Sequence, residues 1–193
     1  MNAEVLEEWI EYKFAPGPLL AVQGIANTHS YEDDIELLTD PESSRKWLTE
    51  AGLLAPGAGV SACDQGDLLE LREAIRSLLY ANHDGSTDPE ATATLSRLAE
   101  EHPVGFKVTA EGEVVLDLEP AASGGDLIGQ AIGIIARAQE RDEWRRLKIC
   151  PAEDCRWAFY DASKNRGGTW CRMEVCGNRN KNRRYREGQS ATK

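Results

Sequence analysis

The chain has 193 residues, 41% apolar and 28% charged, with 17 Gly and 8 Pro. It is too apolar and too mixed in sign to be disordered, and its composition excludes collagenous and low-complexity classes. No run approaches ~18 apolar residues, and the acidic start Met1-Asn2-Ala3-Glu4-Val5-Leu6-Glu7-Glu8 stands where a targeting leader would be basic, so a soluble cytoplasmic protein without membrane contact is expected.

Taken in chain order, Val5, Leu6, Trp9, Ile10 and Phe14 fall at helical spacing and predict a short amphipathic helix from Glu4 to about Phe14, broken by Ala15-Pro16-Gly17-Pro18. Leu19 to Ile25 is apolar throughout, and its length fits a strand or a helix. Asp40-Pro41-Glu42 starts a helix, with Asp as N-cap and Pro in the first turn, that should stop at Gly52. A longer helix is predicted from about Asp67 to Ala81, and Asp88-Pro89-Glu90 starts another that reaches about Glu101. Phe106 to Thr109 and Val114 to Leu118 read as a hairpin. After Ser123-Gly124-Gly125 an apolar helix begins at Asp126, and the pattern carries it through Trp144 and Leu147 toward Cys150.

Charge divides the chain. Residues 1–140 hold 8 Lys and Arg against 26 Asp and Glu, a net of −18, whereas residues 141–193 hold 14 against 7, a net of +7. Opposite signs suggest two modules with different partners: an acidic N-terminal domain over residues 1–140 and a basic unit over 141–193, packed or joined by a helix.

Four of the five cysteines, Cys150, Cys155, Cys171 and Cys176, lie in the basic unit as two C-x4-C pairs separated by 15 residues. Each pair supplies two thiolates from one turn and the intervening segment folds back, which is what one tetrahedral, structural Zn2+ site requires; redox-active thiols are the alternative. Between the pairs, Arg156 to Asp161 and Thr169 to Cys171 read as short aromatic strands flanking a polar turn. In this reading Trp157, Phe159 and Trp170 belong to a small core, Tyr160 faces outward, and Asp161 bonds turn amides. Cys176-Gly177-Asn178 then opens a helix with five Lys or Arg in residues 179–186. Such a helix has little apolar surface of its own, and a polyanion is its simplest partner.

The run Cys150-x4-Cys155, Trp157-Ala158-Phe159-Tyr160-Asp161, Ser163-Lys164-Asn165, Trp170-Cys171-x-Met173 and Cys176-Gly177-Asn178-Arg179 resembles the CGNR zinc-finger family. More loosely, the apolar run before Asn27-Thr28, the stop at Ala51-Gly52-Leu53-Leu54 and Leu71-Arg72-Glu73-Ala74-Ile75 resemble the ABATE domain that precedes such fingers. Two positions depart from the family pattern: Val22-Gln23-Gly24-Ile25 before Asn27, and Gly167-Gly168-Thr169 before Trp170. The resemblance implies an α+β protein, with a mainly helical N-terminal domain carrying a small hairpin, followed by a treble-clef-like four-cysteine finger made of a β-hairpin and a basic helix.

It also implies a transcription regulator acting on double-stranded DNA. In that account Arg179, Lys181, Arg183, Arg184 and Arg186 meet phosphates or base edges, and Lys164 and Arg166 add contacts from the turn. A homodimer reading two half-sites is the natural expectation, and any small-molecule effector belongs to the N-terminal domain. A zinc module for protein or RNA contact is the alternative. For an enzyme little speaks: His29, His83 and His102 are scattered, the glycine pairs lack a phosphate-loop context, and Cys63 sits beside Asp64, reading as a small buried or loop residue.

Overall fold

A computed structural model describes residues 1–190; the side chains of Asp84, Arg184, Tyr185 and residues 187–190 are outside that description. The central element is α2 (Leu19–Ala26), every residue of which is buried. A helix enclosed on all sides has no polar face, so its sequence carries no 3.6-residue alternation, and this is why the apolar run is ambiguous when read alone. Against it pack α1 (Ala3–Ile10), α4 (Ala62–Asp84) and α6 (Gly124–Glu140), while α3 (Pro41–Glu50) packs on α4 and α5 (Pro89–Glu101) on α4 and α6.

The helix starts follow their caps. Asp40 and Asp88 each accept two backbone N–H bonds, from Glu42 and Ser43 and from Glu90 and Ala91. Helix α4 begins earlier than its apolar face suggests, because Ser61 and Asp64 form a reciprocal capping box. It places Cys63, exposed, in the first turn, where the expectation was a buried or loop residue. Helix α1 stops four residues short of Phe14, where Glu11 and Lys13 adopt positive φ. Gly52, at φ +63°, lies where a Cβ would meet the backbone nitrogen of Asn2 at 2.6 Å, so only glycine fits.

Among the described residues, four two-stranded sheets complete the fold. The turn pair β1 (His29–Ser30) and β2 (Ile35–Glu36) is antiparallel, and β3 (Leu54–Gly59) runs parallel to β6 (Ala121–Ser123). The expected hairpin is β4 (Phe106–Val108) with β5 (Val114–Leu116), pairing Val108 with Val114. The fourth sheet joins β7 (Leu147–Ile149) to β8 (Ala158–Tyr160).

Two expectations are corrected around β7. Helix α6 does not continue to Trp144: it ends at Glu140, Asp142 takes φ +57°, and a 3-10 turn over Trp144–Arg146 leads into a strand. Likewise β8 pairs backward with β7 across the first cysteine pair, leaving residues 169–171 irregular. The packing explains both. Trp144, Leu147, Ile149 and Ala158 join the same apolar cluster as Leu20, Ile25, Leu71 and Ile75, so the strand that carries the first cysteine is part of the main core. Helix α7 (Asn178–Ser190) follows a single π-turn over Met173–Gly177.

Candidate metal centre and nucleic-acid interface

The hairpin β7–β8 brings Cys150 and Cys155 to its turn, and the π-turn delivers Cys171 and Cys176 from the other side. All four are buried, and their sulfurs lie within 4.8 Å of one another. Cys171 Sγ is 3.5 Å from Cys155 Sγ and 3.6 Å from Cys176 Sγ. A tetrahedron with Zn–S bonds of ~2.3 Å has edges of about 3.8 Å, so the cluster fits one zinc ion whose four positions are all filled by protein. Such an ion holds the hairpin and helix together and leaves no open position for water.

The groups around the sulfurs suit a cluster of net charge −2. Backbone N–H groups of Ala152 and Cys171 favour a thiolate at Cys150, and the Tyr12 hydroxyl faces Cys171. Burial, reinforced by that sulfur, raises the Tyr12 pKa above its ordinary value. Arg179 Nη2 lies 3.6 Å from Cys176 Sγ, while its Nη1 pairs with Asp154 at 3.2 Å and with Glu32 at 3.7 Å. Burial opposes the Arg179 charge, but Asp154 and Cys176 outweigh it and raise its pKa. Asn178 donates to the Glu174 carbonyl at 3.1 Å and is not a helix N-cap acceptor. A Cβ on Gly177 would meet Met173 Sδ, so that exposed, flexible side chain would have to move aside.

Beside the centre is a buried ion pair. Lys148 Nζ reaches Asp161 Oδ2 at 3.0 Å, with both side chains about 5% exposed, and also donates to the carbonyls of Arg166 and Gly168. Asp161 accepts from the amides of Ser163 and Gly168, as the sequence suggests for a residue ending a strand. Burial works against its charge, yet the bonds from Ser163, Lys148 and Gly168 hold its carboxyl well below the usual range. A Cβ on Gly168 would lie 2.8 Å from Asp161 Cγ, which accounts for glycine in that turn. Trp157 and Phe159 are buried as expected, while Trp170 and Tyr160 are half-buried.

The zinc unit is gripped by the N-terminal region. Asn27 Oδ1 accepts from Ala158 N at 2.7 Å and its Nδ2 donates to Ala158 O at 3.0 Å, a carbonyl that also accepts from Gln23 Nε2 at 3.1 Å. Asn82 donates to the carbonyls of Trp144 and Leu147, and the His83 ring meets Ile149 O at 2.6 Å. Sequence reasoning missed Gln23, Asn27 and Lys148 as positioning residues; the one local signal was a polar pair, Asn27-Thr28, ending an otherwise apolar run.

Of the basic residues singled out for DNA, Arg179, Lys181, Arg183 and Arg186 lie on α7, and Arg179, Arg183 and Arg186 line one open hollow of about 580 Å³. Arg183 is half-exposed and 3.9 Å from Glu153. Lys181 and Lys164 are exposed. Arg166 pairs with Asp142 at 2.5 Å. The side chain of Arg184 lies outside the described residues. Asp67, Glu101 and His102 form a second compact group of ligand-type side chains, but Arg97 bridges Asp67, Glu70 and Glu101 there, which makes it an ion-pair network.

Compared with known families, residues 146–189 match the CGNR zinc finger, and residues 22–139 match ABATE, described as "Putative stress-induced transcription regulator". No curated protein matches the chain.

Proposed function

The chain belongs to the ABATE family, whose match covers more than half of its length, and from that premise we propose that it is a zinc-dependent regulator of transcription that binds duplex DNA through helix α7. The observation that carries this reading is the hollow along α7. Arg179, Arg183 and Arg186 recur at helical spacing on one face, directly after the fourth cysteine, so the metal fixes where three guanidinium groups point. Lys181 and Arg184 add charge to the same helix, and Lys164 and Arg166 supply further cationic contacts from the turn before the third cysteine. The acidic N-terminal domain, residues 1–140, serves regulation, with Glu32 the carboxylate that duplex phosphates would displace from Arg179; the DNA-contacting unit is residues 141–193. Two chains on two half-sites would supply the specificity that one small finger lacks.

The carboxylates already paired with α7 and its approach, Glu32, Glu153 and Asp154, favour as second reading an acidic protein surface on the same face. Selection of bound fragments from a random duplex pool separates the two, with wild type set against Arg183→Ala/Arg186→Ala, which leaves Arg179 and its bond to Cys176 intact. Enrichment of one sequence by the wild type alone supports the DNA reading. No enrichment by folded, zinc-loaded chain overturns it in favour of the second.

A further inference from the structure

Against the zinc unit, α1, the β1–β2 turn and the segment around Cys155 enclose a hollow of about 120 Å³. Its walls are aromatic: Trp9 and Trp157, with ring centroids 5.8 Å apart and planes inclined at 57°, and Tyr12. Both indole N–H groups are spent on backbone, Trp9 Nε1 donating to Asn27 O at 2.9 Å and Trp157 Nε1 to Ile10 O at 3.3 Å. The indoles therefore offer the hollow carbon and π surface, with no donor left over.

The hollow also has a negative rim. Glu8, Glu11, Glu32 and Asp33 border it against one cation, Arg172. Asp33 accepts from Ser30 Oγ and Glu32 pairs with Arg172, while Glu8 and Glu11 stand exposed at the rim, Glu11 acting on Arg172 from beyond ion-pair distance. One cation–π contact is already made here by the protein's own guanidinium, Arg172 Cζ lying 4.9 Å over the Tyr12 ring.

Aromatic walls combined with surplus carboxylates select one kind of guest. A metal ion or a primary ammonium needs converging oxygen ligands, whereas a quaternary ammonium has no N–H to donate, is weakly hydrated, and gains most from π faces. A cavity of ~150 Å³ holds a benzene-sized guest, so this one admits a compact head group with its tail outside. We propose that the hollow bounded by Trp9, Tyr12 and Trp157 binds the quaternary ammonium head of a small cationic solute. Glu32 is shared between this rim and the arginines Arg172 and Arg179, so an occupant competes with them for the same carboxylate. The binding itself is independent of whether α7 meets DNA.

The test titrates zinc-loaded full-length chain with choline and with tetramethylammonium at constant ionic strength, reading heat and tryptophan emission. Saturable binding is expected for both, with ammonium and the uncharged choline isostere 3,3-dimethylbutan-1-ol at least about tenfold weaker. Glu8→Gln/Glu11→Gln, both at exposed positions, should weaken choline by about tenfold with an unchanged unfolding midpoint. Trp9→Leu should abolish binding; if that variant does not fold, the glutamine pair carries the test. Absence of saturable binding, equal binding of the neutral alcohol, or an unaltered Glu8→Gln/Glu11→Gln variant overturns the proposal.

Discussion

Asn27 is one of the points at which the N-terminal region holds the zinc hairpin, and two substitutions there separate its hydrogen bonds from its volume. The side chain is fully buried and makes a matched pair with Ala158, accepting at 2.7 Å and donating at 3.0 Å. In Asn27→Ala the Ala158 N–H loses its acceptor, while the Ala158 carbonyl keeps Gln23; one orphaned buried amide costs about 1–3 kcal/mol. Asn27→Asp is nearly isosteric and keeps the acceptor, but sets a buried carboxylate against the Ala158 carbonyl with no cation bonded to it, which costs about 3–5 kcal/mol. Urea unfolding of the zinc-loaded chain at neutral pH measures both, and the expected order of stability is wild type, Ala, Asp. Amide exchange at Ala158 should quicken in each. If both variants fall within about 0.5 kcal/mol of wild type, or Asp is milder than Ala, the clamp is not what holds the hairpin.

Zinc removal should reach beyond the finger. Because Leu147, Ile149 and Ala158 belong to the main apolar cluster, a strong chelator should lower the unfolding midpoint of the whole chain as well as amide protection in β7 and β8; unchanged protection would contradict a structural metal. Asp161→Asn strips the counter-charge from Lys148, whose side chain is 5% exposed, and should cost about 3–5 kcal/mol in the same unfolding assay; a loss under about 1 kcal/mol would refute the pair's role. The pKa of His29 is lowered, chiefly by burial, with Arg72 and Arg76 adding to it against Glu36. The unfolded chain therefore binds the proton more readily, so stability falls as pH drops through ~6.5. His29→Gln should flatten that slope between pH 7 and 5, and an unaltered slope would remove His29 as its source.

Legibility in the sequence followed the range of the interaction. Helices α3 and α5 announce themselves because an N-cap and a following proline act within four residues. The four cysteines are as readable, since C-x4-C spacing expresses the ligand geometry locally. Strands β3 and β6 escape notice because each is short and its partner lies some 65 residues away, so nothing near either one reports the pairing. Strand β7 is three residues long and buried throughout, and its lysine looks like surface until Asp161 and two carbonyls close around it. In the same way Arg179 reads as a DNA contact from composition alone, whereas the fold also gives it the Cys176 sulfur and two carboxylates.

The central claim is that zinc aims the arginines of α7 at phosphate. Titrating a fluorescent duplex with zinc-loaded chain at several salt concentrations tests it most directly, because each neutralised phosphate releases counterions. With about four to six contacts, log K should fall against log salt with a slope of about −4 to −5, shallower by about one in Arg183→Ala, and binding should vanish on chelation. A slope near zero, or equal affinity with and without metal, would contradict the account.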